Sequence, residues 1–530
     1  MPLVFLVLSL FLLQSPQDSA SIEGYVVIAG TSTPVIRARV ELRNEDGLAR
    51  NSQSAITDAG GKFVFQNLQP GRYRVSAVRD GYMLAQYGQR RRGAQGTVIA
   101  VGSGQGLKNV VLSLTPTSAV SGRVYDRYGD PLANMNVQAL GYTYQDGHRI
   151  LIPADTARTN DLGEYRLFWL APGQYVVRAA PQERAVGPEN SESLLPVYFP
   201  GVTDPAAATP VDLQPGVNLT GVDLRTSDTP AVRIRGQVVD GTTGQPARFG
   251  VSIALVPRRG AVATASARLT VGVSSDGTFD LRQITPGAYD LIANDSRLAA
   301  HLPLDVGNAD IGNIVLVMQP RFDITGHVVI ENGQSGTVGP GVRGTHVELR
   351  REPFTSQLLV PVPLVASDGS FTLTNVTPGD YQLRFGLGGL RGYIKAARYG
   401  AIDALNPPFR IDGPSQGTLE ILVSPNAASL DAIVRDDQQA PFPDATVVLV
   451  PDPPRRHRLD LYRAVGSDNQ GRLRIDALPP GDYRIFAWDD VPADAWLDPD
   501  FIRLYEDRGK PIHLEENGKE TFELRMIPAR

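Results

Sequence analysis

The stretch Thr57–Ala77, TDAGGKFVFQNLQPGRYRVSA, returns four more times along the chain in variant form. The later copies are TNDLGEYRLFWLAPGQYVVRA (Thr159–Ala179), SSDGTFDLRQITPGAYDLIA (Ser274–Ala293), ASDGSFTLTNVTPGDYQLRF (Ala366–Phe385) and SDNQGRLRIDALPPGDYRIFA (Ser467–Ala487). All share Pro-Gly-x-Tyr: Pro70, Gly71, Tyr73; Pro172, Gly173, Tyr175; Pro286, Gly287, Tyr289; Pro378, Gly379, Tyr381; and Pro480, Gly481, Tyr483. Before the proline a polar turn leads into an alternating run, Phe63/Phe65 in the first copy and Tyr165/Leu167, Phe279/Leu281, Phe371/Leu373 and Leu473/Ile475 in the others. Period two marks a half-buried strand. Pro-Gly then reverses the chain, proline presetting φ and glycine admitting positive φ. A return strand alternates again, as Tyr73/Val75/Ala77 or Tyr483/Ile485/Ala487. Each copy therefore reads as a hairpin. A tyrosine just after such a turn resembles a β-sandwich corner, where the hydroxyl bonds to upstream backbone. Five ligand-binding or catalytic phenols are the functional alternative, but an anchor explains better why every copy needs one.

The prolines are separated by 102, 114, 92 and 102 residues. That period is one domain per repeat, since solenoid units run to roughly 20–50 residues. Each repeat opens with a strand carrying glycine or alanine on its inner face: Ile22/Gly24/Val26, Val120/Gly122/Val124, Ile234/Gly236/Val238, Ile324/Gly326/Val328 and Leu430/Ala432/Val434. A small residue there predicts close approach of a neighbouring strand or ring. A second strand follows, such as Val40/Leu42 or Val447/Leu449, then the signature hairpin and two closing strands. Six to seven short strands per unit suit a small β-sandwich. The expected architecture is all-β: five tandem sandwiches at 21–115, 116–227, 228–319, 320–425 and 426–530. Short proline-containing joints predict a semi-rigid rod. An insertion in the second repeat, Pro181–Pro210, reads as an exposed loop.

Residues 1–20 stand outside the repeats and read as a signal peptide. The apolar run Leu3–Leu13 is too short to span a bilayer but suits a signal-peptide core, although no Lys or Arg precedes it and Asp18 spoils the cleavage site. Localisation is accordingly expected to be exported: secreted, periplasmic or cell-surface associated, with no integral membrane segment after the leader is removed. The 530 residues hold no cysteine, which excludes disulfides and thiol chemistry. Forty-one prolines and 53 glycines suit a turn-rich β chain. A net charge of −5 argues against nucleic acid as a partner.

Gly-x-Val near each start, T-D-x-x-G-x-F and L-x-P-G-x-Y-x-V together resemble the carboxypeptidase regulatory-like domain. The resemblance covers Ser21–Arg530 and recurs five times in register. It implies a prealbumin-like seven-stranded sandwich related to collagen-adhesin B-type modules, as in exported acidobacterial proteins. It carries no catalytic residues, because the zinc carboxypeptidase domain that gives the family its name has no counterpart here. B-type modules often hold a Lys–Asn isopeptide bond from an early strand. None of the five opening strands has a lysine, so no such bond is expected.

Little else points to chemistry. The six histidines are scattered, and His513-Leu-Glu-Glu516 lacks a third ligand for zinc. Asp58–Gly61 and its counterparts read as Asx-type turns, not calcium loops. The arginine clusters Arg90–Arg92 and Arg455–Arg458 read as solvated loops, with a polyanion contact as the alternative. Aromatics outside core phase are better binding candidates: Tyr142, Tyr144, Trp169, Trp488 and Trp496. Packing between domains is the reading preferred for these aromatics; Trp488, Asp489, Asp490 and Trp496 fall together after the last signature hairpin, where rings and carboxylates suit a sugar platform or equally an end cap of the rod. The expected function is a non-catalytic exported array for adhesion, spacing or binding of cell-surface or extracellular polysaccharide or protein, with no cofactor and no metal. The alternatives are a secreted hydrolase with an unrecognised active site and an extracellular accessory of an outer-membrane uptake system.

Overall fold

The computed structural model describes residues 19–528, except 47–51, 92, 182–194, 227–231, 248–249, 259–262, 265–268, 332–343, 353–357, 387, 389–391, 407 and 414–416. The run Leu3–Leu13 and the middle of the Pro181–Pro210 insertion lie outside the described residues. Strands dominate, and the α-helix among the described residues is the short Pro499–Arg503. No helix among them is long and apolar enough to cross a membrane.

The repeats share one plan, with the two sheets of the third joined into a single seven-stranded sheet where Leu298–Val306 pairs with Ile311–Pro320. In each repeat's first sheet the opening strand sits in the middle, antiparallel to the signature strand and parallel to a closing strand. Ala20–Ile28 lies between Lys62–Leu68 and Gly106–Leu114. Ser118–Tyr125 lies between Glu164–Leu170 and the short Asn218–Leu219 and Leu224–Arg225. Val232–Asp240, Phe322–Ile330 and Ala428–Arg435 hold the same place. The second sheet pairs the second strand with the return strand, as Arg39–Asn44 with Gly71–Val78 and Thr446–Pro451 with Gly481–Trp488. The period-two side chains of the two sheets meet between them. Each of the five largest buried clusters draws its residues from one repeat.

The small inner residue of the opening strand has a specific reason. Gly24, Gly122, Gly236 and Gly326 each lie opposite an aromatic residue: Phe63, Tyr165, Phe279 and Phe371. A Cβ on Gly24 would sit 1.9 Å from the Val110 carbonyl oxygen, and one on Gly326 would sit 2.1 Å from the Phe371 ring. The fifth repeat has Leu473 instead of an aromatic ring, and there Ala432 is accommodated. A side chain at these glycines would meet the closing segment's carbonyl at Gly24, Gly122 and Gly236, and the facing ring as well at Gly24, Gly236 and Gly326.

Three expectations need correction. Ala20, placed above at the end of the leader, begins the opening strand, pairs with Leu68 and is fully buried. The far end of the insertion is not an exposed loop. Leu195, Val197 and Tyr198 are buried, and Val197–Tyr198 adds an edge to the return strand.

The third correction concerns the rod. The hairpin of Asn136–Gln145 and His148–Arg158 in the second repeat runs for ten paired positions, against five and four for its counterparts in the first and fifth. Its tip reaches beyond its own sandwich. Asp146 forms ion pairs with Arg350 and Arg384 of the fourth repeat, the latter at 3.2 Å. Tyr144 meets the Phe501 ring of the fifth repeat at 5.9 Å, and a Cβ on Gly147 would lie 2.6 Å from the Leu497 carbonyl oxygen. The first repeat also reaches the fifth: Arg91 donates to Thr446 Oγ1 at 2.6 Å and Arg90 lies 5.2 Å from the Phe442 ring centre. Short proline joints limit reach but impose no straightness; the long hairpin draws non-adjacent repeats together.

Candidate functional site

The five corner tyrosines occupy equivalent positions and do one job. Tyr73, Tyr175, Tyr289, Tyr381 and Tyr483 each donate to the carbonyl four residues upstream, on Gln69, Ala171, Thr285, Thr377 and Pro479, at 2.8 to 2.9 Å. Burial raises the Tyr289 phenol and pushes Tyr483 up to about 12, so these hydroxyls stay protonated as donors. Of the turn prolines and glycines, Pro480 and Pro378 offer carbonyls to Arg455 and Arg351. Gly481 and Gly379 leave room for those same guanidiniums, which would lie 2.5 and 2.3 Å from a Cβ. Gly173 and Gly481 also take φ of +146° and +129°.

The polar turn that opens each signature is equally occupied. Asp58 Oδ1 accepts from the amides of Gly60 and Lys62, and Asp468 Oδ1 from those of Gln470 and Arg472. Sequence reasoning missed the residue before it. The buried Thr57 hydroxyl donates to Val35 and accepts from the Ala38 amide, and Thr159 and Ser467 repeat the arrangement.

The sugar platform proposed on the last domain is contradicted. Trp488 is 1% exposed, stacked on Phe486 with centroids 5.0 Å apart and edge-on to Tyr505 at 5.7 Å. Trp496 is half-buried against the same cluster. Asp490 is exposed, whereas the amide and carbonyl of Asp489 are taken by Ile527 and Arg91. The reason is a second core. The outer face of the Thr446–Pro451/Gly481–Trp488 sheet carries Val448, Val450, Phe486 and Trp488, and residues Val491, Ala495, Ile502 and Tyr505 cover it.

Of the first arginine cluster Arg92 lies outside the described residues, and Arg90 and Arg91 make the contacts to the fifth repeat given above; the second cluster is bound, not solvated. Arg456 pairs with Glu506 at 2.8 Å, Arg458 with Asp460 at 2.6 Å, and Arg455 lies 4.9 Å from the Tyr483 ring centre. His513 Nδ1 is 2.6 Å from Asp482, while Glu516 accepts from the Tyr393 hydroxyl, so the two groups serve different partners. Among the described residues no three metal-ligating side chains converge.

Of the aromatic candidates, Trp169 is presented to solvent. In every repeat the signature strand bulges before its turn, setting two residues against one of the opening strand. The bulged pairs are Gln66-Asn67, Phe168-Trp169, Arg282-Gln283, Thr374-Asn375 and Asp476-Ala477. The second member takes φ near +60° at Asn67, Trp169, Asn375 and Ala477. Asparagine tolerates that conformation; for a bulky residue it is an outlier. Trp169 is nevertheless there, 63% exposed, with Phe168 47% exposed and the rings 5.1 Å apart at 76°. Asp155 Oδ2 accepts from the Phe168 amide at 2.9 Å and ties the bulge to the long hairpin. Further back on the same strand, Glu164 and Arg166 line an open cavity of about 640 Å³ with Arg123, Tyr125, Arg158 and Asp223. Phe168 was missed, although aligning the five signatures shows an aromatic pair where the others carry polar or small residues.

The class these features define is a tandem β-sandwich protein. Residues 21–115 match the carboxypeptidase regulatory-like domain family. No curated protein matches the chain in sequence. Similar solved structures include the Bacillus anthracis TIE protein, at 10% identity over 96% of this chain and 75% of that one with a TM-score of 0.17. A streptococcal ancillary pilin is 12% identical over 57% of this chain and all of that one, TM-score 0.20. The major pilin subunit BcpA of Bacillus cereus is 12% identical over the same shares, TM-score 0.17.

Proposed function

We propose that this chain is a non-catalytic, exported surface protein whose repeats serve adhesion, spacing or binding of extracellular polysaccharide or protein. The observation that carries the reading is where the repeated polar groups are spent. Corner phenols donate to backbone carbonyls, turn carboxylates accept backbone amides, and buried hydroxyls staple the second strand. What the repeats hold in common therefore builds the fold, and function is left to what differs between their surfaces. The regulatory-like match at 21–115 supports the reading, as does the apolar run Leu3–Leu13 for export. The five domain boundaries given above belong to the same proposal, supported by buried clusters that each stay within one repeat.

Fractionation with N-terminal sequencing, followed by pull-down and glycan-array binding of the mature full chain, tests it. The expected result is a processed protein outside the cytoplasm that retains a polymer or surface protein without altering it. Retention in the cytoplasm, or turnover of the bound polymer, contradicts it.

A further inference from the structure

We propose that the bulged end of the second repeat's signature strand binds a pyranose ring bearing a carboxylate, as in a uronic-acid polysaccharide. Trp169 and Phe168 take the ring; Arg166 and Arg158 take the acid. This rests on the surface-protein reading and names its ligand class.

The first argument is positional. Gln66-Asn67 and Thr374-Asn375 form the same bulge with polar residues, so the fold does not call for aromatic rings there. The second repeat places indole where φ is +55° and leaves it 63% exposed, against both backbone preference and the hydrophobic effect. A local rule broken without structural gain marks a functional position. The edge-to-face pair offers a flat indole face beside a phenyl wall, a shape suited to the apolar C–H face of a sugar ring.

Charge supplies the second argument. Side chains two residues apart on a strand share a face, roughly 7 Å apart. Arg166 therefore precedes Phe168 on the outer face, at the rim of the cavity. Both acids lining the cavity are engaged: Glu164 lies 2.7 Å from Arg123, and Asp223 accepts the Arg123 amide at 2.8 Å. Among the described residues Arg166 is held by a long 3.3 Å contact to Asn218, and Arg158 is exposed with no ion pair. Arg166, two residues from Phe168, and Arg158 on the same cavity rim, with the Asp155 carboxylate spent on the Phe168 amide, favour a ring with a carboxylate over a neutral one.

Affinity electrophoresis of the full chain through gels containing polygalacturonate, its methyl ester or dextran tests this. Retardation should be strongest with polygalacturonate. Trp169→Asn, which restores the residue found at 67 and 375, should weaken it about tenfold or more without lowering the unfolding temperature. Arg158→Gln with Arg166→Gln should weaken binding to the acid and leave the ester unchanged. Equal retardation by acid and ester, an unaffected Trp169→Asn variant, or tighter binding to a single-stranded oligonucleotide overturns the proposal. Capture of another surface polymer through a different repeat would remove this inference and leave the surface-protein reading standing. Cleavage of the polygalacturonate would remove that reading instead, with Trp169→Asn still deciding the ledge.

Discussion

Trp488 and Trp169 both lie near the end of a strand in the same hairpin motif, three repeats apart, and the structure gives them opposite fates. Trp488 is 1% exposed and sandwiched among rings; Trp169 is 63% exposed with Phe168 as its ring neighbour among the described residues. Both point away from the core of their own sandwich. The difference lies in whether something covers that outer face. In the fifth repeat, residues 491–505 and Tyr144 from the second repeat do so; at the second repeat's bulge the rings face solvent. Strand phase tells which face a side chain takes, and coverage decides whether it is core or surface.

The largest expected effect is at Trp488. Replacing it with alanine should cost about 3–5 kcal/mol, read as loss of the fifth repeat's transition in calorimetry of the full chain. Trp169→Ala should stay within about 0.5 kcal/mol. Similar shifts for the two would break the comparison.

Asp146 comes next, because it fastens the hairpin that carries Tyr144 onto the fifth repeat. Arg350 is 5% exposed, and its guanidinium, with that of Arg384, holds the Asp146 carboxyl down to about 2 from an ordinary 3.8. Removing one member of a buried pair costs about 3–5 kcal/mol; with Asp146 21% exposed, Asp146→Asn should cost about 2–3 kcal/mol. The folded-state pKa is depressed, so the pair stabilises above pH 3.8 and its contribution is lost as pH falls toward 2. Wild type and Asp146→Asn should therefore differ in urea unfolding at neutral pH and converge at the acid end. A difference that grows on acidification contradicts the assignment.

A smaller loss is expected at the corners. Tyr381→Phe keeps the ring and removes the donor to Thr377, which should cost about 1–2 kcal/mol in thermal unfolding. No measurable change would contradict the anchoring role of the corner phenols. The smallest effect should have the opposite sign. Trp169→Asn relieves a positive φ and should stabilise by up to about 1 kcal/mol.

Much of the fold could be read directly. Alternation in the signature, the inner-face glycines and the Pro-Gly turn place both sheets, because each is a local consequence of strand geometry. The departure from a rod could not be, since it depends on contacts between repeats far apart in sequence, such as Asp146 with Arg350 and Arg91 with Thr446. A local signal for the buried tryptophan did exist. Thr446–Pro451 reads TVVLVP, and its last five residues are all buried. Continuous apolar character in place of alternation marks a strand covered on both faces. At Trp169 the signal was comparative: one position, five repeats, a single aromatic pair.

The most direct measurement is hydroxyl-radical footprinting of the full chain, read tryptophan by tryptophan by peptide mass spectrometry, with and without oligogalacturonate. The chain holds three tryptophans, so each is resolved. The account predicts rapid oxidation of Trp169, slower oxidation of half-buried Trp496 and none at Trp488, with the oligosaccharide protecting Trp169 alone. Oxidation of Trp488 at the rate of Trp169, or protection at Trp488 and Trp496 while Trp169 stays reactive, would contradict it.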